Sequence, residues 1–414
     1  MKRFRLVAWA FVVALGCALP ARAAPPAEKF ELRDGDRVAF LGNTFFEREQ
    51  AYSYLETLLA SRFPDRNVTF RNVAWSGDTV FGHARAAFDT PEQGFERLIK
   101  VTHQVKPTVL FISYGMGESF DGDAGLPAFR TGLARLLDRL KDLEARTVLV
   151  SPVRHEALPA PYPSPDPHNR ELRKYIDVLK QTSDERGFWF VDLYQLLGDG
   201  MKASPAYPLT ENGIHPSAYG YWMAAQAVEQ ALAYGPRGWT VTVDAASLKA
   251  ESQNVEVASP TREGNAISLP VTRNLLPVPP PPPIDARYIT VRPESRRVLV
   301  VKNLRDGHWL LRQGDAILAA GSADEWEKGL ALTTGPLADQ AEKLRQVAVL
   351  KNMQFFNQWR PANETYIFGF RKNEQGQNAK EIPQFEQPIA AKEAEMAKLR
   401  VVAPYTLTIQ REDQ

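Results

Sequence analysis

From Arg37 onward the chain alternates between short apolar runs and longer stretches with apolar residues at three- and four-residue spacing. Arg37–Gly42, Thr108–Ser113, Thr147–Val150 and Phe188–Asp192 are nearly continuous apolar runs, while Val68–Ala74 alternates. Such runs predict strands, the continuous ones buried on both faces. Tyr54–Arg62, Leu126–Leu143, Asn169–Glu185 and Pro216–Ala233 carry the helical period. Strands alternating with helices predict an α/β domain whose parallel sheet is covered on both sides. In such a sheet, reactive groups sit on loops beyond the carboxyl ends of the strands.

The texture changes after Gly235-Pro236. Trp239–Val243, Tyr288–Val291 and Arg297–Val301 read as strands, with Leu304–Trp309 as a turn to the next one. They predict a small β-sandwich-like module over residues 236–335. Pro279–Pro283 is a stiff polyproline segment, read as a spacer laid along the protein's own surface, with a ligand for a partner as the alternative. Pro336–Trp359 is periodic enough for a long amphipathic helix, and Ala391–Leu399 for a last short one. Between them lies a stretch too aromatic for a disordered tail. Residues 336–414 are therefore expected to form a helical extension that packs back on the rest.

The first residues change the picture of location. Lys2, Arg3 and Arg5 precede an apolar run from Leu6 to Leu19, and Ala21-Arg22-Ala23 is a small-x-small cleavage pattern. This predicts a signal peptide over residues 1–23, export, and no stable membrane span after cleavage, because the run falls short of the ~20 residues a span needs. The α/β domain then covers residues 24–235. Cys17, the only cysteine, lies inside the leader. A lipoprotein anchor there is a minor alternative, since Ala14 stands where a leucine would be expected. A chain cleaved after Ala23 has no disulfide, no thiol catalysis and no cysteine-bound metal. Charge is balanced, 50 basic against 49 acidic residues, so nothing favours nucleic acid as a partner.

Four segments carry candidate chemistry. Gly42-Asn43-Thr44 follows the first strand, and Trp75-Ser76-Gly77-Asp78 the second. Tyr114-Gly115-Met116-Gly117-Glu118 follows the third, and Glu211-Asn212-Gly213-Ile214-His215 precedes the last helix of the domain. A hydroxyl, two glycine loops and a late histidine are the set that acyl transfer requires: a nucleophile, a base, and N–H donors for the oxyanion. His83, His103, His155 and His308 lack metal-ligand spacing, and Asp121-Gly122-Asp123 lacks the later ligands of a calcium loop. No metal or cofactor is expected.

In order and spacing, these segments resemble the blocks of the SGNH/GDSL hydrolases, a superfamily of esterases, lipases and carbohydrate deacetylases. The resemblance covers roughly residues 36–233. It implies a flavodoxin-like three-layer α/β/α fold and an ester hydrolase, either a carboxylic-ester hydrolase or a carbohydrate deacetylase. The substrate would be a small-molecule or polysaccharide acyl ester. More narrowly, the whole chain resembles a planctomycete-type group of exported GDSL-like proteins, whose tails are similar to Arg360–Phe370.

Carried onto this chain, the resemblance implies Thr44 as nucleophile, His215 as base and Asn212 as its partner. Asn43, Gly77, Gly117 and Glu118 would form the oxyanion and substrate-binding positions. The departures are several. The family's serine is Thr44, whose methyl crowds attack and restricts χ1. Its oxyanion asparagine falls on Gly117, and its acid on Asn212. An asparagine can still orient a histidine, and Glu211 is placed to supply the missing charge. Each residue also has a plainer reading: Thr44 as a helix cap, Gly77 as a turn glycine, His215 as packing at a helix start, His168 as a structural or rim residue. A catalytically impaired scaffold that binds a glycan or a partner is the alternative function.

Overall fold

The computed structural model describes residues 29–198, 207–273, 275–289, 292–367, 369–374 and 378–412. The leader expected over residues 1–23 lies outside them.

Apolar residues on both faces of each early strand are what place these strands inside a sheet. The first half runs β1 (Arg37–Gly42), α1 (Thr44–Glu49), α2 (Tyr54–Arg62), β2 (Thr69–Asn72), α3 (Pro91–Gln104), β3 (Val109–Ser113) and α4 (Gly122–Arg139). It continues with β4 (Arg146–Val150), α5 (Asp166–Arg186), β5 (Trp189–Val191), α6 (Leu193–Gly198) and α7 (Ala218–Ala231). The five strands pair in parallel in the order β2-β1-β3-β4-β5. Val38 and Phe40 of β1, with Val109 and Phe111 of β3, pack towards α2 and α7. Ala39, Leu41, Leu110 and Ile112 pack towards α3, α4 and α5. This is the three-layer fold the sequence implies. The direction of strand addition reverses between β1 and β3, and an open α/β sheet forms its crevice at such a switch point. The two strands approach so closely there that a Cβ on Gly42 would lie 2.3 Å from the Ser113 carbonyl oxygen.

Helix α3 was not anticipated from periodicity. Its signal is local: Thr90 caps Gln93, Gln93 caps Thr90 in return, and Pro91 opens the first turn. Helix α4 begins at Gly122, earlier than its apolar period, with Pro127 tolerated near its start.

The second half comprises β6 (Trp239–Asp244), β7 (Lys249–Gln253), β8 (Glu256–Val257), β9 (Thr261–Glu263), β10 (Ala266–Arg273), β11 (Arg297–Lys302), β12 (His308–Gln313) and β13 (Ala316–Ser322). Then follow α8 (Ala323–Lys328), β14 (Leu330–Ala331), α9 (Pro336–Trp359), α10 (Glu364–Ile367), α11 (Glu386–Leu399) and β15 (Tyr405–Arg411). One sheet has the order β14-β11-β6-β7, the other β13-β12-β15-β10-β8, with β9 on β10. Val241, Leu299, Leu269, Leu311 and Leu407 from the two sheets share one core with Trp239, Trp309 and Trp326. The last strand corrects the expected boundary at residue 336. β15 pairs with both β10 and β12, so the chain end is built into the β module rather than ending on a helix. Tyr288 lies in a 3-10 turn over Ala286–Tyr288 instead of the expected strand, and residues 290–291 lie outside the described ones. The polyproline segment lies against α7, where the Trp222 indole N–H donates to the Pro279 carbonyl at 2.9 Å.

Helix α9 is fixed to the α/β domain by buried polar groups. Lys351 pairs with Glu56 of α2 at 2.7 Å and donates to the Phe70 carbonyl of β2 at 3.0 Å. Asn352 donates to Glu56 at 2.7 Å and to the Ser53 hydroxyl at 3.0 Å. These bonds hold the end of α9 beside the loop that follows β2. No helix of the described residues is long and apolar enough to cross a membrane.

Candidate active site

The site lies at the carboxyl ends of β1, β2 and β3. Asn43, not Thr44, is the cap of α1: its side-chain oxygen accepts from the Phe45 N–H at 3.2 Å. It is buried, which makes it a structural residue of the turn. Thr44 is the first helical residue, half-buried, and its Oγ1 accepts the Gly77 N–H at 3.0 Å. The nucleophile and one oxyanion donor predicted from the sequence are therefore in contact. Gly77 takes φ +71°, a left-handed turn that aims its N–H at the site, and the space beyond its α-carbon is open.

The Gly77 loop is held from behind. Asp78 is buried and accepts from the Arg85 guanidinium at 2.6 Å and from the Tyr114 hydroxyl at 3.3 Å, so the second and third blocks share one carboxylate. The next contact comes from the far end of the chain. The Arg360 guanidinium sits over the Trp75 ring, 3.5 Å from its centroid, and its Nη1 is 3.7 Å from Glu47. Glu47 in turn accepts from the Ser76 hydroxyl at 2.6 Å.

Glu118, placed at the substrate-binding positions from the sequence, is 7% exposed. Its oxygens accept from Val80 N–H at 3.0 Å and Gly115 N–H at 2.9 Å, and burial pushes its carboxyl up. It ties two loops together instead of facing a ligand. Gly117 faces open space and has no side-chain donor. The Glu211 carboxylate is paired with Arg48 of α1 at 2.8 Å, with no hydrogen bond to the His215 ring among the described residues.

His215 is oriented by Asn212, but with inverted polarity. Asn212 Oδ1 accepts the His215 N–H at 2.9 Å and the Ile214 N–H at 3.3 Å. That fixes the amide, so Nδ2 meets His215 Nδ1 at 3.1 Å. An amide nitrogen only donates, so Nδ1 must be the acceptor and the ring proton sits on Nε2. A histidine acting as a base through Nε2 needs the opposite tautomer. Among the described residues no hydrogen bond joins His215 to Thr44. The loop itself is anchored by a residue the sequence did not single out: Glu156 accepts from Leu209 N–H at 3.0 Å, from Thr210 N–H at 2.8 Å and from the Thr210 hydroxyl. Its position beyond β4 carries no motif.

Burial, and then the Arg48 charge, hold the His215 imidazole below its usual value, while Glu211 acts in the opposite sense. A depressed value keeps the ring neutral in mild acid. If His215 is the base, the acidic limb of kcat/KM falls below ~6.5, the free histidine value, and a pH profile on a small acetyl ester measures it.

His168 lies outside this group, bonded to the Ser119 hydroxyl at 2.9 Å and to His155 at 3.0 Å. Burial pushes it down to about 4. It is a neutral packing residue. No cluster of three or more metal-ligating side chains exists among the described residues.

The model of the GDSL-like lipase/acylhydrolase family matches residues 36–223. No match to a curated protein is found. Among solved structures, a gut microbial diltiazem-metabolizing enzyme is 17% identical, with a TM-score of 0.72, over 93% of this chain and 100% of that chain. At that identity it shows the fold, and it shows it for both halves. The acetylxylan esterase Axe2 of Geobacillus stearothermophilus is 20% identical over 49% of this chain and 96% of its own, with a TM-score of 0.40. Four blocks at the carboxyl edge of a parallel sheet, together with the family match, identify residues 36–223 as a domain of the GDSL-like lipase/acylhydrolase type, within the SGNH/GDSL superfamily.

Proposed function

We propose that the protein is an exported ester hydrolase that removes acyl groups from carbohydrate, with Thr44 as nucleophile and His215 as base. The observation that carries this reading is the 3.0 Å hydrogen bond between Thr44 Oγ1 and the Gly77 N–H. It sets a hydroxyl against a donor that can hold the developing oxyanion. In the reaction, Oγ1 attacks the ester carbonyl and its proton passes to the imidazole. The imidazole returns that proton to the departing sugar oxygen, and water then releases the acid from Thr44. The carbohydrate part rests on export and on the β module, a common companion of glycan-acting domains.

The resting tautomer makes the first step slow. Before His215 can take a proton at Nε2, the Asn212 amide must rotate and give up two backbone hydrogen bonds, at about 0.5–1.5 kcal/mol each. That same observation favours a second reading, a scaffold that binds an acylated glycan with little or no turnover.

The test is acetate release from acetylated xylooligosaccharides and p-nitrophenyl acetate. The hydrolase reading requires release above background that Thr44→Ala and His215→Ala both remove. Activity that survives Thr44→Ala unchanged excludes Thr44 as nucleophile. Binding without release in the wild type supports the scaffold.

A further inference from the structure

We propose that a cleft between the α/β domain and the C-terminal extension is a binding site for an acidic oligosaccharide, one that carries uronate carboxylates. The cleft has a volume of about 1020 Å³ and lies behind the Gly77 loop. Helix α3 forms one wall with Arg97 and Lys100, and the end of α9 forms the other with Phe355 and Trp359. Trp75 and Arg85 line it from the loop beyond β2, so the cleft abuts the back of the catalytic loop.

Its chemistry is of two kinds. Trp75 and Trp359 meet edge to face at 5.9 Å and give the cleft an aromatic wall. Beside it Phe370, next in the chain to the cleft-lining Gly369, meets Phe88 edge to face at 5.7 Å. These two phenylalanines are 72% and 80% exposed, an unusual cost for large apolar rings in water. Five lining side chains are cationic, and only Glu364 and Glu386 are carboxylates. Arg71, Arg85 and Arg97 are paired with Glu393, Asp78 and Asp89. Lys100 and Lys372 have no side-chain partner among the described residues.

Two buried donors of cleft-lining side chains have no acceptor among the described residues: Nη1 of Arg85, a side chain 1% exposed, and Nε1 of Trp359. Guanidinium and indole only donate, so what both lack is an oxygen. Cations alone would suit any anion, and aromatic rings alone a neutral sugar. Together they match a sugar ring whose apolar face stacks on indole and whose carboxylate meets Lys or Arg. The volume is on the order of that of a ligand site for a few rings. The site does not depend on turnover at Thr44, so either outcome there leaves it standing.

The experiment titrates the full-length protein with trigalacturonate, followed by calorimetry and tryptophan fluorescence, with xylotriose and inorganic sulfate in parallel. Saturable binding is expected, at least about ten-fold tighter than for xylotriose or sulfate, and weakening as salt rises. Lys100→Glu, an exposed change that leaves the core intact, is expected to weaken it by about ten-fold or more. Trp359→Ala should abolish the fluorescence change. No binding at millimolar trigalacturonate overturns the proposal. So does equal binding of xylotriose, equal binding of sulfate, or binding that Lys100→Glu leaves untouched.

Discussion

Asn212→Asp is expected to raise the rate of ester hydrolysis by about 10²- to 10⁴-fold. In the wild type one amide oxygen serves the His215 and Ile214 N–H groups, and the amide nitrogen donates to Nδ1. An aspartate keeps the first function with one carboxylate oxygen and replaces the donor with an acceptor. The ring proton then moves to Nδ1, and Nε2 becomes the lone pair that a base requires. Two terms make up the gain. The amide rotation, about 1–3 kcal/mol for two hydrogen bonds, is no longer needed. The carboxylate also stabilises the imidazolium that forms during attack. The measurement is kcat on p-nitrophenyl acetate. The acidic limb should move upward in the same variant, because a negative charge now faces the ring. An unchanged kcat would show that the tautomer does not limit turnover, and that the altered hydroxyl or the missing donor at Gly117 does.

Glu229→Ala is expected to destabilise the fold by about 3–5 kcal/mol, read as a lower urea midpoint with an unchanged slope. Glu229 of α7 is buried between two arginines. Arg62 of α2 lies at 3.0 Å, and Arg237, just after the α/β domain, at 2.5 Å. Arg237 also donates to the Ser61 hydroxyl, the Leu58 carbonyl and the Leu276 carbonyl, so one guanidinium joins α2, α7 and the segment after β10. Burial is the largest single effect and pushes the Glu229 carboxyl up, but the charges and hydrogen bonds of Arg237 and Arg62 together outweigh it and hold the group below the usual carboxylate range. Removing the carboxylate leaves two buried cations facing each other, which costs far more than a lost surface pair. Glu229→Gln keeps the shape and loses only the charge, and should fall between the wild type and the alanine variant. A midpoint shift of Glu229→Ala within that of an ordinary surface substitution would mean that water reaches the arginines.

The candidate site was partly legible in the sequence. Block order put Thr44, Gly77, Gly117 and His215 at one sheet edge, because a strand of five or six apolar residues and the turn after it are local features. What those residues do to one another was not legible. Asn212 was placed correctly beside His215, but whether it donates or accepts depends on which backbone N–H groups claim its oxygen. Glu211 was placed beside it too, and its direction was decided by Arg48, more than a hundred residues earlier. Glu118 carries a family position, yet its oxygens are occupied by backbone of two loops. Arg360 was legible only as the start of the tail segment Arg360–Phe370, with nothing to aim it at the site, and Glu156 gave no signal, since neither belongs to a periodic pattern that points there.

By itself, the sequence determined the alternation of two-sided strands and helices, hence the parallel sheet and the loops that carry chemistry. It also determined a second, β-rich half and a long helix near the end. Hydrophobic period is a property of neighbours along the chain, so it survives without knowledge of the fold. Only the tertiary structure decided that β15 closes the second sheet, that α9 brings Arg360 and Trp359 to the back of the Gly77 loop, and that Asn212 donates to His215. These depend on the direction of single hydrogen bonds and on contacts between residues hundreds of positions apart, which no local pattern encodes.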